Sequence, residues 1–220
     1  MWVWECISIV CMELCVYVCG FIFILYCHVL TPLCFTHPLL PPGSDNENPL
    51  VRGLALRSLC SLRLESILEY VEQPLAKGLR DISPYVRKTA VLGVLKIQYL
   101  APHLVQSSGY EAIILQLLHS DPDASVVTNC LYALHELALP RGGLQATGEL
   151  VALLLGRVGE FSEWGLNTVL ELVSRYRPGS EEEVFSVMNL LDPVLRTANS
   201  GSVLAVLKCF FALTAPLQDT

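Results

Sequence analysis

Lysine and arginine are missing from the first 43 residues, and Glu5 and Glu13 are the only acids there. Between Leu14 and Leu30 the stretch LCVYVCGFIFILYCHVL offers only His28 as a chargeable side chain. Its length approaches the ~20 residues that a membrane-spanning helix needs. The missing positive start and the long apolar core argue against a secretory signal. Two readings of residues 1–43 stay open: a membrane segment over 14–30, or an unrelated hydrophobic leader joined to a stretch of a longer soluble protein. With a membrane segment, Arg52, Arg57 and Arg63 on its C-terminal side would keep the rest of the chain in the cytosol.

Paired cysteine motifs are lacking too. Six of the nine cysteines, Cys6, Cys11, Cys15, Cys19, Cys27 and Cys34, fall in the leader, without a CxxC pair or a Cys/His zinc spacing. Cys11, Cys15 and Cys19 share one helix face, where thiols could hold metal or accept palmitate, but they suit the role of small apolar residues better. Cys60, Cys130 and Cys209 fall at or beside apolar helix positions and read as core filling. The lack of a disulfide framework and of any Asn-x-Ser/Thr acceptor fits a cytosolic body. Charge is scarce as well, 16% of residues against 53% hydrophobic, which favours much buried surface over disorder. With a net charge of −7 and no run of Lys or Arg, nucleic acid is not an expected partner.

Catalytic constellations are the third absence. HELAL from His135 begins like a zinc-protease helix, but Leu139 stands where the second histidine belongs. DPDAS from Asp121 lacks the glycine turn and closing glutamate of a calcium loop, and its place before a helix reads as capping. Neither a glycine-rich phosphate loop nor a GxSxG elbow occurs. His103 and His119 fall in or near turns as solvated side chains, and the acids at 181–183 suit a helix N-terminus. No catalytic, cofactor-binding or metal-binding residue is assigned. Neither an enzyme nor a small-molecule substrate is expected.

What is present is repetition. Nothing from Ser44 onward alternates with period two, and DISPYVRKTAVLGVLK from Asp81 opens a helix: Ser83 can cap it, Pro84 suits its first turn, and Val86, Ala90, Val94 and Ile97 follow at helical spacing. The set Val86, Ala90, Val91, Val94 recurs as Val51, Ala55, Leu56, Leu59 and as Val126, Cys130, Leu131, Leu134. Weaker copies are Trp164, Thr168, Val169, Leu172 and Ser202, Val206, Leu207, Phe210, giving steps of 35, 40, 38 and 38. Such steps match one helical hairpin per repeat. Partner helices are predicted at Glu65–Leu79 (Ile67, Val71, Leu75, Leu79, bent but not ended by Pro74), Tyr110–Leu118, Glu149–Val158 and Glu181–Leu195 (Val184, Val187, Leu191, Leu195), the last opened by a Ser180/Glu183 capping box. The reading is all-α: a HEAT/armadillo-like solenoid of stacked hairpins over 44–220, behind a leader over 1–43. Its first unit, from Asn46, has a second helix without a preceding partner, so either the leader packs there or the chain is a truncated product.

Pro74, Leu75, Leu79, Asp81, Pro84, Val86, Arg87 and Ala90 resemble the HEAT repeat pattern. The resemblance implies a ladder along the stack, made by an acid and an arginine six residues apart. Asn46 and Arg52 keep that spacing with an amide, whereas Val127 stands where the third arginine belongs and is expected to weaken the ladder. More narrowly, NPLVRGLALRSL, EYVEQPLAKGLRDISPYVRKTAVLG, VVTNCLYAL and EWGLNTVLELVSRYRP resemble the trunk of the beta-adaptins, over about residues 46–215. RYRPGSEEEVFSVMNLLDPVL is more similar to the adaptor-complex-4 branch than to the clathrin-linked branches.

That resemblance implies one arm of a heterotetrameric adaptor, alongside another large subunit, a medium subunit and a small subunit. It implies recruitment by an Arf-type small GTPase to the cytosolic face of the trans-Golgi network, peripheral to the membrane, for sorting cargo into vesicles. Two alternatives stay open. One is another HEAT scaffold of the nuclear-transport or phosphatase type; the other is a membrane-anchored regulator that competes for adaptor partners.

Overall fold

The computed structural model describes residues 45–62 and 68–215. The expectations for residues 1–43, and for Arg63 and Ile67, lie outside the described residues. Ten α-helices are described: α1 Pro49–Ser61, α2 Leu68–Gly78, α3 Pro84–Leu100, α4 Pro102–Ser107, α5 Tyr110–Ser120, α6 Ala124–Ala138, α7 Gly148–Leu155, α8 Glu163–Val173, α9 Glu181–Leu191 and α10 Ser200–Thr214. Short 3₁₀ turns follow α6, α7 and α9. No strand occurs among the described residues. The described residues form an all-α solenoid.

The second helices of the hairpins, α1, α3, α6, α8 and α10, pack each on the next. In front of them α2 lies on α3, α5 on α6 and α9 on α10. Their buried side chains join in one hydrophobic cluster running from Leu56 to Leu213. A single repeat cannot enclose its apolar stripe, so each helix is stabilised by its neighbours more than by its own propensity. Cys60, Cys130 and Cys209 lie inside this cluster.

Each second helix starts from a short polar N-cap: Asn48, Ser83, Asp123, Ser162 and Asn199. Four of these side chains accept from first-turn backbone N–H groups. Ser83 is the exception and makes no such bond. At that turn Pro84 has removed one orphan donor, and Asp81 Oδ1 accepts from Ser83 N instead.

Counting from the caps corrects the repeat register. Successive caps are 35, 40, 39 and 37 residues apart. The position three beyond each cap is Val51, Val86, Val126, Gly165 and Ser202. The fourth copy therefore begins at Gly165 and not at Trp164, which is 85% exposed, while Gly165, Val169 and Val173 are buried. Close approach explains the substitution: a Cβ on Gly165 would meet Thr128 Oγ1 of α6 at 2.7 Å. Val51 and Leu207 also depart from the expected pattern. Both are exposed, on sides of α1 and α10 that no described helix covers.

Partner helices follow the expected apolar faces with three local differences. α2 runs through Pro74 without ending, with Val71, Leu75 and Leu79 buried. The segment predicted as one helix to Leu195 changes at Asp192–Arg196 into a 3₁₀ turn with Pro193 in its first positions, where the missing N–H costs no hydrogen bond. At Ser180 the capping box is half made. Ser180 accepts from Glu183 N, but Glu183 reaches past the cap to accept from Gly179 N at 2.8 Å and also from the Tyr176 hydroxyl.

Candidate interaction surface

Two features could meet a partner or hold the array in shape: a row of arginines at the hairpin turns, and the exposed face of the second helices. Arg52 of α1 grips Asp81 with two hydrogen bonds of 2.8 Å. Its remaining nitrogen donates to the carbonyls of Asn46 and Glu47. Arg87 of α3 repeats the arrangement one unit on, pairing with Asp121 at 2.6 and 2.9 Å and donating to the carbonyls of Asp81 and Ile82. Each acid in turn accepts from a backbone N–H two residues later, Ser83 N for Asp81 and Asp123 N for Asp121. Planar forks of this kind fix geometry as well as charge.

Burial alone would raise the Asp81 carboxyl. The hydrogen bonds from Arg52 and Ser83 N, with the charges of Arg52 and Arg87, outweigh it and hold Asp81 below the ordinary carboxylate range. The Asp121 side chain is only 1% exposed, so Arg87 compensates a carboxylate withdrawn from water.

At the third turn the expected arginine is Val127, fully buried between helices. The rung is not lost. Arg157, after α7, donates to the carbonyls of Asp121 and Pro122 at 2.8 and 2.6 Å, the pair equivalent to those that Arg52 and Arg87 bind in their own turns. Glu160 steadies it at 2.7 Å. Sequence spacing missed Arg157 because its donor comes from the following hairpin, 36 residues beyond the acid.

The exposed face of the second helices carries Leu92 and Tyr99 on α3, Tyr132 and Glu136 on α6, and Glu171 on α8. Tyr99 donates to Glu136 across the α3–α6 boundary at 3.2 Å, and Arg175, just past α8, pairs with Glu171 at 2.7 Å.

A family model described as Cnd1, non-SMC mitotic condensation complex subunit 1, matches residues 50–212, the stretch of HEAT-like hairpins. The chain is 41% identical over 172 residues to AP-4 complex subunit beta-1 of Mus musculus, covering 77% of this chain and 23% of that protein. It is likewise 41% identical over 184 residues to Beta-adaptin-like protein A of Arabidopsis thaliana, covering 79% and 22%. The chain belongs to the beta-adaptins.

As a beta-adaptin it spans about a fifth of the length of these curated relatives. Identity to AP-1 complex subunit beta-1 of Mus musculus is 35% over 167 residues, covering 74% of this chain and 18% of the relative, so the AP-4 likeness is the greater.

Other side chains singled out in the sequence have structural places in this beta-adaptin. Asp123 caps α6, and Glu181, Glu182 and Glu183 occupy the first turn of α9. His103 and His119 are exposed on α4 and α5. His135 lies in the last turn of α6, with Nδ1 accepting from Leu144 N at 3.4 Å and Arg175 3.1 Å from Nε2. Burial pushes the thiols up, to about 11 for Cys60 and Cys209 and about 12 for Cys130, which leaves them poor nucleophiles. Among the described residues no His, Cys, Asp and Glu side chains gather as a metal site, and no helix is long and apolar enough to cross a membrane.

Proposed function

We propose that this beta-adaptin chain is a non-enzymatic scaffold of a heterotetrameric adaptor complex in vesicle-mediated protein transport. The observation that carries the reading is the 41% identity to AP-4 complex subunit beta-1 across the stacked hairpins themselves. A ladder-braced array with a continuous exposed helix face suits holding other proteins. Its partners are the other large subunit, the medium subunit and the small subunit, with an Arf-type GTPase recruiting the complex. The complex works on the cytosolic face of the trans-Golgi network, and the chain is peripheral to the membrane through it. Residues 44–220 form the scaffold, preceded by a separate hydrophobic leader over 1–43.

Co-expression of the full chain with tagged medium subunit tests this. The chain co-purifies with it, more weakly than a full-length beta subunit does. Failure to co-purify while the full-length subunit succeeds overturns the reading. So does recovery of nuclear-transport cargo or phosphatase subunits without adaptor subunits.

A further inference from the structure

Three side chains converge at the α3–α6 boundary on the exposed face of the second helices. Tyr99, near the end of α3, donates its hydroxyl to Glu136 Oε2 at 3.2 Å. Tyr132, one turn before Glu136 on α6, lies on the same helix face and within the field of that carboxylate. Core tyrosines bury their rings and bring their hydroxyls to a polar partner. Here the Tyr99 hydroxyl is held while both rings stay open, 75% exposed for Tyr99 and 46% for Tyr132.

The resulting cluster has a definite chemical preference. An ionised carboxylate has about four acceptor positions, and the single phenol of Tyr99 leaves most of them unused. The flanking ring faces are negative in their quadrupole and attract a cation laid across them. Among the described residues no lysine or arginine forms an ion pair with Glu136. Lys96, one turn before Tyr99, lies in the field of Cys60 and Arg57 on the side toward α1. His135, beside Glu136 in sequence, is engaged with Leu144 N and Arg175. The carboxylate and both rings are thus free to receive a positive group from outside.

We propose that Tyr99, Tyr132 and Glu136 form a clasp for one arginine or lysine side chain on an extended segment of a partner protein. Arginine suits it better: its guanidinium can stack on a ring and direct its fork at the carboxylate together, which a compact ammonium cannot. This inference goes beyond the adaptor reading, since the clasp would serve any partner with a protruding basic residue.

The test uses the full 220-residue chain with ring-labelled tyrosine, titrated with the blocked peptide Ala-Ala-Arg-Ala-Ala and followed by NMR. Tyr99→Phe and Tyr132→Phe assign the two ring signals. Both signals move together with the arginine peptide. Affinity falls about tenfold for the citrulline peptide, which keeps the shape and loses the charge, and by the same factor for Glu136→Gln with the arginine peptide. Tyr132→Leu weakens binding about threefold. Glu136→Asp retains charge selectivity, and circular dichroism confirms that each variant is folded. Equal shifts with arginine and citrulline peptides, unmoved tyrosine signals, or unchanged affinity in Glu136→Gln would each overturn the clasp. Because co-purification with the medium subunit does not require Glu136 in this scheme, the two proposals fail separately.

Discussion

The turns before α1 and α3 and the turn before α6 are braced by different routes. At α1 and α3 the arginine sits six residues beyond the Asn46 or Asp81 position and reaches both its own turn and the next acid. At α6 that place is taken by Val127, given wholly to packing, and Arg157 comes back from the next hairpin to the carbonyls of the same turn. What persists across the two regions is the demand of the turn, two clustered carbonyls lacking helix partners, rather than the position of the donor. Asp121 is where the two routes meet, with its carboxylate on Arg87 and its carbonyl on Arg157.

Arg87→Ala breaks the comparison hardest. It strands the Asp121 carboxylate in a site 1% exposed, and a loss of about 3–5 kcal/mol is expected in urea unfolding. Asp81 is more open, so Arg52→Ala is expected to cost less than Arg87→Ala in the same assay. An equal or smaller loss for Arg87→Ala would mean that Asp121 does not depend on its pair. Next in size is Gly165→Ala, at about 1–3 kcal/mol, because the new methyl collides with Thr128 Oγ1 and Cγ2 at 2.7 and 3.3 Å. Thr128→Ala in the same chain removes both colliding atoms and recovers most of the loss. If Gly165→Ala stabilises the fold instead, as helix propensity alone would have it, α6 and α8 do not approach as described.

Arg157→Ala follows, at about 1–2 kcal/mol, since its bonds end on carbonyls near the surface rather than on a buried charge. Both arginines act on Asp121, so the double variant with Arg87→Ala should depart from additivity. This residue also marks what the sequence could and could not disclose. That Asp81 and Arg87 belong to a ladder was legible from the resemblance to HEAT repeats, although each side chain finds its ionic partner in a neighbouring turn, Arg52 for Asp81 and Asp121 for Arg87. Arg157 carries no such local mark; only the fold brings it to Asp121. The hairpin order and the buried faces of α3 and α6 were legible from spacing of four between apolar residues. At α8 the same spacing misled, because the residue that fits against Thr128 is a glycine, and a large neighbour one place earlier took its role in the pattern.

Acid should act first on the rungs before α6. The folded Asp81 carboxyl is held below its ordinary value of 3.8, so the stability it contributes is fully present above about pH 4 and is lost as pH falls through the lower folded value. Thermal unfolding followed between pH 5 and pH 2 should show a declining midpoint, with a shallower decline in Asp81→Asn. A slope unchanged by that substitution would place the acid sensitivity elsewhere, for instance at Asp123, whose carboxyl is lowered chiefly by the Ser125 hydroxyl, against a smaller opposing push from burial and with help from first-turn N–H groups.

The smallest expected effect decides the register after α6. Trp164 lies one place before the helix position that packs, and its ring is 85% exposed, so Trp164→Ala should change unfolding free energy by no more than about 0.5 kcal/mol. Leu170, on the same helix and 1% exposed, should cost about 2–5 kcal/mol when cut to alanine. A tryptophan is far larger than a leucine, so size alone would predict the opposite order. Only the placement of Gly165 against α6 makes the larger side chain the dispensable one, and a measured reversal would move the whole of α8 by one residue.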